Sequence, residues 1–205
     1  MSGLLVTTMI GCARLTDPSP AIQEDLLPWT DQREQLTAEY AALHSGPHQS
    51  TRITPRMVVL HGTTDPSVDA VKQRFAPASL PTDREDLAHA GSVNVSTHYA
   101  IDRDGTIVRL LPENRYARHV VGFNHVAIGI EHVGDGPEHD LTQAQIDSAR
   151  WLVADLRTRW PIEDVKGHHQ LINEPESHPL FLELDETYRT FARDPGDAFV
   201  KAVTQ

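Results

Sequence analysis

Three residues stand out as a possible metal-binding set: His61, His168 and Asp194. His61 follows the apolar run Met57-Val58-Val59-Leu60, His168 follows Val165-Lys166-Gly167, and Asp194 opens Asp194-Pro195-Gly196. Two neutral imidazoles and one carboxylate make a three-ligand zinc site with an open fourth position. Water at such a position falls in pKa to about 7, and the metal polarises a substrate carbonyl. Cys12 is the single cysteine, so a site of this kind must use histidine and carboxylate, of which the chain has 12 His and 29 Asp plus Glu. Residue types alone leave other roles open. A lone histidine is more often a hydrogen-bonded core or surface residue, and an aspartate before Pro-Gly is more often a turn former.

The elements around these residues explain why they could converge. Met57 to Leu60 is β-branched at its centre and suits a buried strand. Val68, Val71 and Phe75 mark a short helix. Thr97 to Ile101 and Thr106 to Leu111 flank Asp102-Arg103-Asp104-Gly105, which predicts a hairpin with glycine at the turn. Ile128 to Val133 alternates as a further strand, placing Ala127, Gly129, Glu131 and Val133 on one face. Thr142-Gln143-Ala144-Gln145 is a capping box ahead of a helix whose apolar residues run from Ile146 to Trp160, with Pro161 as its stop. Val165 to Gly167 is a last strand, and Asp197 to Val203 a closing helix. Strands interleaved with helices, plus one hairpin, predict an α/β domain with a mixed sheet. His61 and His168 then lie at strand ends, where α/β proteins hold functional groups rigidly beside substrate-admitting loops.

The formal net charge is -11, which excludes a nucleic-acid partner built on clustered Lys and Arg. The apolar run Gly3 to Gly11 ends at Cys12 and is too short for a membrane-spanning helix. Met9-Ile10-Gly11-Cys12 resembles a lipoprotein cleavage box, though no basic residue precedes the run. Lipidated Cys12 would attach the chain to a membrane; an inert cysteine in a frayed terminus is the alternative. Residues 13 to 52 read as an extension punctuated by Pro18, Pro20, Pro28 and Gly46-Pro47, with one helix from Trp29 to His44 carrying Leu36, Tyr40 and Leu43 on one stripe.

A set of ordered segments resembles one family. Val58-Val59-Leu60-His61, Thr97-His98-Tyr99-Ala100-Ile101-Asp102-Arg103-Asp104-Gly105-Thr106-Ile107, Ala117-Arg118-His119, Asn124, Ile128-Gly129-Ile130-Glu131, Gly167-His168 and Asp194-Pro195-Gly196 are similar to the N-acetylmuramoyl-L-alanine amidases. That family includes phage lysozyme-type amidases and peptidoglycan recognition proteins. The resemblance runs from about Pro55 to the C-terminus, so that residues 53 to 205 would form the catalytic domain. It implies an α/β fold with a mixed central sheet flanked by helices, and zinc bound by His61, His168 and Asp194. His169 is the second choice to His168. Glu131 matches the general base, and a half-buried carboxylate beside zinc could pass a proton to the leaving amine. His119 and Asn124 fall in the stretch that lines the muropeptide groove, while His98 resembles a framework histidine.

One position departs from the pattern. Bacterial members often carry an oxyanion-stabilising lysine two residues before the third ligand; here that residue is Ala192, with Arg193 beside it as the cation able to reach an oxyanion or a substrate carboxylate. The segment His178-Pro179-Leu180-Phe181 to Tyr188-Arg189 lengthens the loop before Asp194, similar to a bacterial subgroup. The resemblance implies hydrolysis of the amide between N-acetylmuramic acid and L-alanine by a monomeric enzyme, in peptidoglycan or in muropeptides. The implied location is the cell envelope, periplasmic or membrane-anchored, with the cytoplasm as the alternative. A non-catalytic peptidoglycan-binding module of the same fold is the second functional expectation. Such modules typically lose a zinc ligand, whereas all three are present here.

Overall fold

The computed structural model describes residues 20–136, 140–172 and 175–205. Cys12 and the apolar run before it lie outside the described residues. Among the described residues, no helix is long and apolar enough to cross a membrane.

Six strands form one mixed sheet: β1 (Ile22–Glu24), β2 (Met57–Thr63), β3 (Tyr99–Ile101), β4 (Ile107–Arg109), β5 (Ala127–Val133) and β6 (Asp164–Gly167). Their order is β1-β4-β3-β5-β2-β6. Every neighbouring pair is parallel except the hairpin β3–β4. The hairpin turn closes at Gly105, whose φ of 89° is costly for any residue with a Cβ.

Helices α4 (Gln143–Arg159) and α5 (Asp197–Thr204) cover one face of the sheet. Val58, Leu60, Ile128 and Ile130 pack there against Leu152, Leu156, Phe199 and Val200. The expected capping box starts α4: Thr142 Oγ1 accepts from the Gln145 amide and Gln145 Oε1 accepts from the Thr142 amide. On the other face, Val133 and Ala100 pack against Val68, Val71 and Phe75 of α2 (Val68–Phe75). Met57, Val59 and Ala127 share that face and meet Val120, Phe123 and Leu171. All seven residues of β5 are therefore buried, on both sides, rather than half exposed as its alternation suggests.

Residues expected as an extension contribute to the same body. β1 pairs in parallel with β4 as an edge strand, and α1 (Asp31–Ser45) sends Tyr40 and Ala41 into a cluster with Leu87, Val93, Tyr116 and Tyr188. The buried stripe of α1 differs from the expected Leu36-Tyr40-Leu43 row: it is Arg33, Thr37, Tyr40, Ala41 and His44, and Leu43 is exposed. Two of the polar members, Arg33 and His44, are held by polar partners. The Arg33 guanidinium donates to the carbonyls of Phe75, Ala76 and Pro77, the end of α2, where unpaired carbonyls and the helix dipole both favour a cation. His44 pairs with Glu183 at 2.7 Å and bonds the Ala90 carbonyl at 2.8 Å. A short helix α3 (Glu85–Ala88), not expected from the sequence, precedes that carbonyl.

The register is what matters for chemistry. β2 extends to Thr63, so His61 sits inside the strand and not just after it. His61 pairs with Glu131 of β5, and Leu60 pairs with Gly167 of β6, the residue before His168. Because side chains repeat every second residue along a strand, His61 shares the face of Met57 and Val59, away from α4 and α5.

Candidate metal centre and active site

His61, His168 and Asp194 converge in the structure. Each offers one donor atom, and these atoms lie within 4.8 Å of one another. His61 Nδ1 is 3.5 Å from Asp194 Oδ2, and His168 Nδ1 is 3.5 Å from Asp194 Oδ1. The two imidazole rings are 4.7 Å apart between centroids. Asp194 comes from a loop, fixed there because its Oδ2 accepts from the Gly62 amide at 3.2 Å and its carbonyl accepts from the His169 amide at 3.0 Å.

A chain of hydrogen bonds sets the His61 tautomer. His119 Nε2 contacts the Ala127 carbonyl at 3.3 Å, which can only accept, so that nitrogen carries the proton. His119 Nδ1 is then an acceptor, and it receives His61 Nε2–H at 3.0 Å. This leaves the His61 Nδ1 lone pair facing Asp194 and His168, as a metal ligand requires. Burial lowers the pKa of both: His61 in spite of the neighbouring Asp194 carboxylate, and His119 with further help from the neighbouring His61 and His98. Both are neutral near pH 7. Burial works against ionised Asp194, but its contacts with His168 and His61 outweigh it and hold the carboxyl well below its ordinary range. His168 Nε2 is buried and has no hydrogen-bond partner among the described residues. A neutral His61, an ionised carboxylate and an imidazole donor from His168, gathered at 3.5 Å separations, fit a zinc ion.

His169, the second choice, points elsewhere, as does the neighbouring-loop residue His178. His169 Nε2 bonds Asp197 Oδ1 at 2.8 Å, and His178 Nε2 bonds Asp164 Oδ2 at 3.1 Å. Both hold loops to neighbouring elements.

Glu131 is buried, at 7% exposure, where half burial was expected. Burial, then the nearby charges of Asp194 and Asp65, push its carboxyl well above the ordinary range, with Arg74 opposing. It lines a cavity of about 460 Å³ together with His61, His119, His168 and Asp194. Asp65 and Arg74 line it too and form a bidentate pair, Nε to Oδ2 at 2.9 Å and Nη2 to Oδ1 at 2.5 Å. Nothing in the spacing of those two residues marks them beforehand, since only the packing of α2 beside β5 brings them to Glu131.

Asn124 lies behind the cavity and is not among the residues that line it. Its Oδ1 accepts from the amides of His119 and Val120 at 2.9 and 2.8 Å, and Nδ2 donates to the Tyr40 hydroxyl at 3.3 Å. The side chain is committed to shaping the loop that carries His119, which is why it does not face a ligand. Arg193 likewise is not among the lining residues; its guanidinium lies 5.1 Å over the Phe191 ring centroid. Ala192, where bacterial relatives often have lysine, is buried.

Residues 50–179 match the family model described as N-acetylmuramoyl-L-alanine amidase. The chain belongs to that family. It is 29% identical over 96 residues to the endolysin of Klebsiella phage KP32, covering 44% of this chain and 62% of the relative. The chain thus spans less than two thirds of that endolysin's length. Among solved structures, the endolysin amidase LysCS from Clostridium intestinale URNW is similar at 27% identity and a TM-score of 0.53, covering 76% of this chain and 86% of that one. AmpD has the same fold, with a TM-score of 0.55 at 22% identity over 89% of this chain and 93% of AmpD. The amidase family and the mixed α/β architecture implied by the ordered motifs are both found.

Proposed function

We propose that the chain is a zinc-dependent amidase that hydrolyses the bond between the lactyl group of N-acetylmuramic acid and L-alanine, in peptidoglycan or its soluble fragments. The observation that carries this reading is the convergence of one donor atom each from His61, His168 and Asp194 within 4.8 Å, in a cavity that Glu131 also lines. The endolysin relatives and the family support the choice of substrate.

His61, His168 and Asp194 would hold zinc, which supplies Lewis acidity that polarises the scissile carbonyl and acidifies water. His119 keeps His61 in the tautomer that frees Nδ1, and Asn124 acts through His119 rather than on substrate. Glu131 takes a proton from the attacking water and delivers it to the departing L-alanine amine. Glu131 shares the cavity with the three proposed ligands, which places its carboxyl for that transfer. Arg193, stacked on Phe191 and outside the cavity lining, is given no part in the proton transfer. The cell envelope is the proposed location, with lipidation of Cys12 as the proposed means of attachment and the cytoplasm as the alternative.

Digestion of purified muropeptides, with and without a chelator and with products identified by mass, tests the reading. Release of free stem peptide that stops on chelation and returns with zinc is expected. Peptidoglycan binding without turnover, in zinc-loaded protein, would refute hydrolysis and leave a binding module.

A further inference from the structure

Phe191 is 75% exposed, more than any other large hydrophobic side chain among the described residues. A single exposed apolar residue is ordinary, and Leu26, Leu43 and Leu184 are of that kind. Phe191 differs because it lines the cavity that contains the metal-binding cluster. It also stands three residues before Asp194, so the chain keeps its Cα within about 11 Å of that ligand.

The segment around it is anchored, so the exposure is not a property of a loose loop. Tyr188 is buried and its hydroxyl accepts from Arg118 Nη2 at 3.1 Å. Ala192 is buried on the other side. The Arg193 guanidinium covers the ring at 5.1 Å, a cation–π contact that steadies its orientation. The result is an oriented aromatic surface at the rim of the site.

We infer that Phe191 is a platform for the pyranose ring of the substrate, an inference that rests on the amidase reading. In the bond assigned above, the scissile carbonyl carbon is separated from the sugar ring by three bonds: to the lactyl carbon, to the ether oxygen and to the ring carbon. A side chain at the rim of the metal cluster is thus at the right remove to meet that ring. Pyranose faces present polarised C–H groups, which pack on the electron-rich face of an aromatic ring. The stem peptide is the poorer occupant, because its carboxylates gain nothing from a phenyl face.

The test measures binding without turnover, in the Glu131→Gln background loaded with zinc. Two ligands are titrated calorimetrically: a soluble disaccharide muropeptide and the same stem peptide without its sugar. Phe191→Ala is expected to weaken the muropeptide about tenfold, the scale of losing an aromatic contact and its buried area, while the bare peptide changes less than about twofold. Phe191→Trp should restore muropeptide affinity. Equal weakening of both ligands, or an unchanged muropeptide, overturns the platform. Sugar-dependent loss in a protein whose wild type shows no turnover keeps the platform and removes the hydrolase. No muropeptide binding at all removes both.

Discussion

Replacing His98 with glutamine should flatten the pH dependence of stability without abolishing the fold. His98 is fully buried; its Nδ1 accepts from the Gly129 amide at 3.0 Å and its Nε2–H donates to the Arg115 carbonyl at 2.9 Å. Those bonds fix a neutral ring, because a proton on Nδ1 would face the Gly129 N–H. Burial lowers the pKa from 6.5 to about 4, against the backbone hydrogen bond to Arg115 and the charge of Glu113. The folded pKa is the lower one, so the neutral ring's contribution is complete above pH 6.5 and is lost as pH falls towards 4. At about 1.36 kcal/mol per pH unit, the full loss is about 3 kcal/mol, most of it between pH 7.5 and 4.5. Glutamine offers an acceptor and a donor of similar reach and does not titrate. His98→Gln should cost about 1 kcal/mol at pH 7.5 through imperfect bonds. It should then lose about 2 to 3 kcal/mol less than wild type on acidification, since glutamine does not titrate. Urea unfolding at both pH values, at fixed zinc content, measures this through the midpoint and slope. Parallel pH profiles for the two proteins would refute the argument, because they would mean that His98 titrates alike in folded and unfolded chains.

Other outcomes follow from the site. Asp194→Ala should leave two histidines and less than full zinc occupancy; one zinc per chain in the purified variant would mean that the third ligand lies elsewhere. Glu131→Gln should lower turnover about 100- to 10,000-fold while zinc content is kept, and turnover near wild type would remove it as the base. Gly129→Ala would place a Cβ 2.9 Å from His119 Nδ1, pushing that ring off His61. Zinc affinity or activity should fall about 10- to 100-fold, as for other ligand-orienting groups. A zinc titration and turnover indistinguishable from wild type would show that the ring does not need its place.

Most elements are legible in the residues, and so is the His61, His168 and Asp194 group that the fold gathers. Hydrophobic period, the Thr142 capping box and the Gly105 turn are local properties, so β2, β5, the hairpin and α4 are legible in the residues. The ordered motifs around His61, Glu131, His168 and Asp194 carried the family. Geometry comes from packing. The parallel register sets His61 against Glu131 on one side and, through Leu60 and Gly167, beside His168 on the other. No local pattern encodes register between strands about 70 and 105 residues apart; it follows from burying both sheet faces at once. The same holds for polar residues that look exposed in sequence. Arg33, His44 and Asn124 are buried because distant partners, the end of α2, Glu183 and the His119 loop, satisfy them. Burying a polar group is affordable only when its partner is present, and that partner is a tertiary fact.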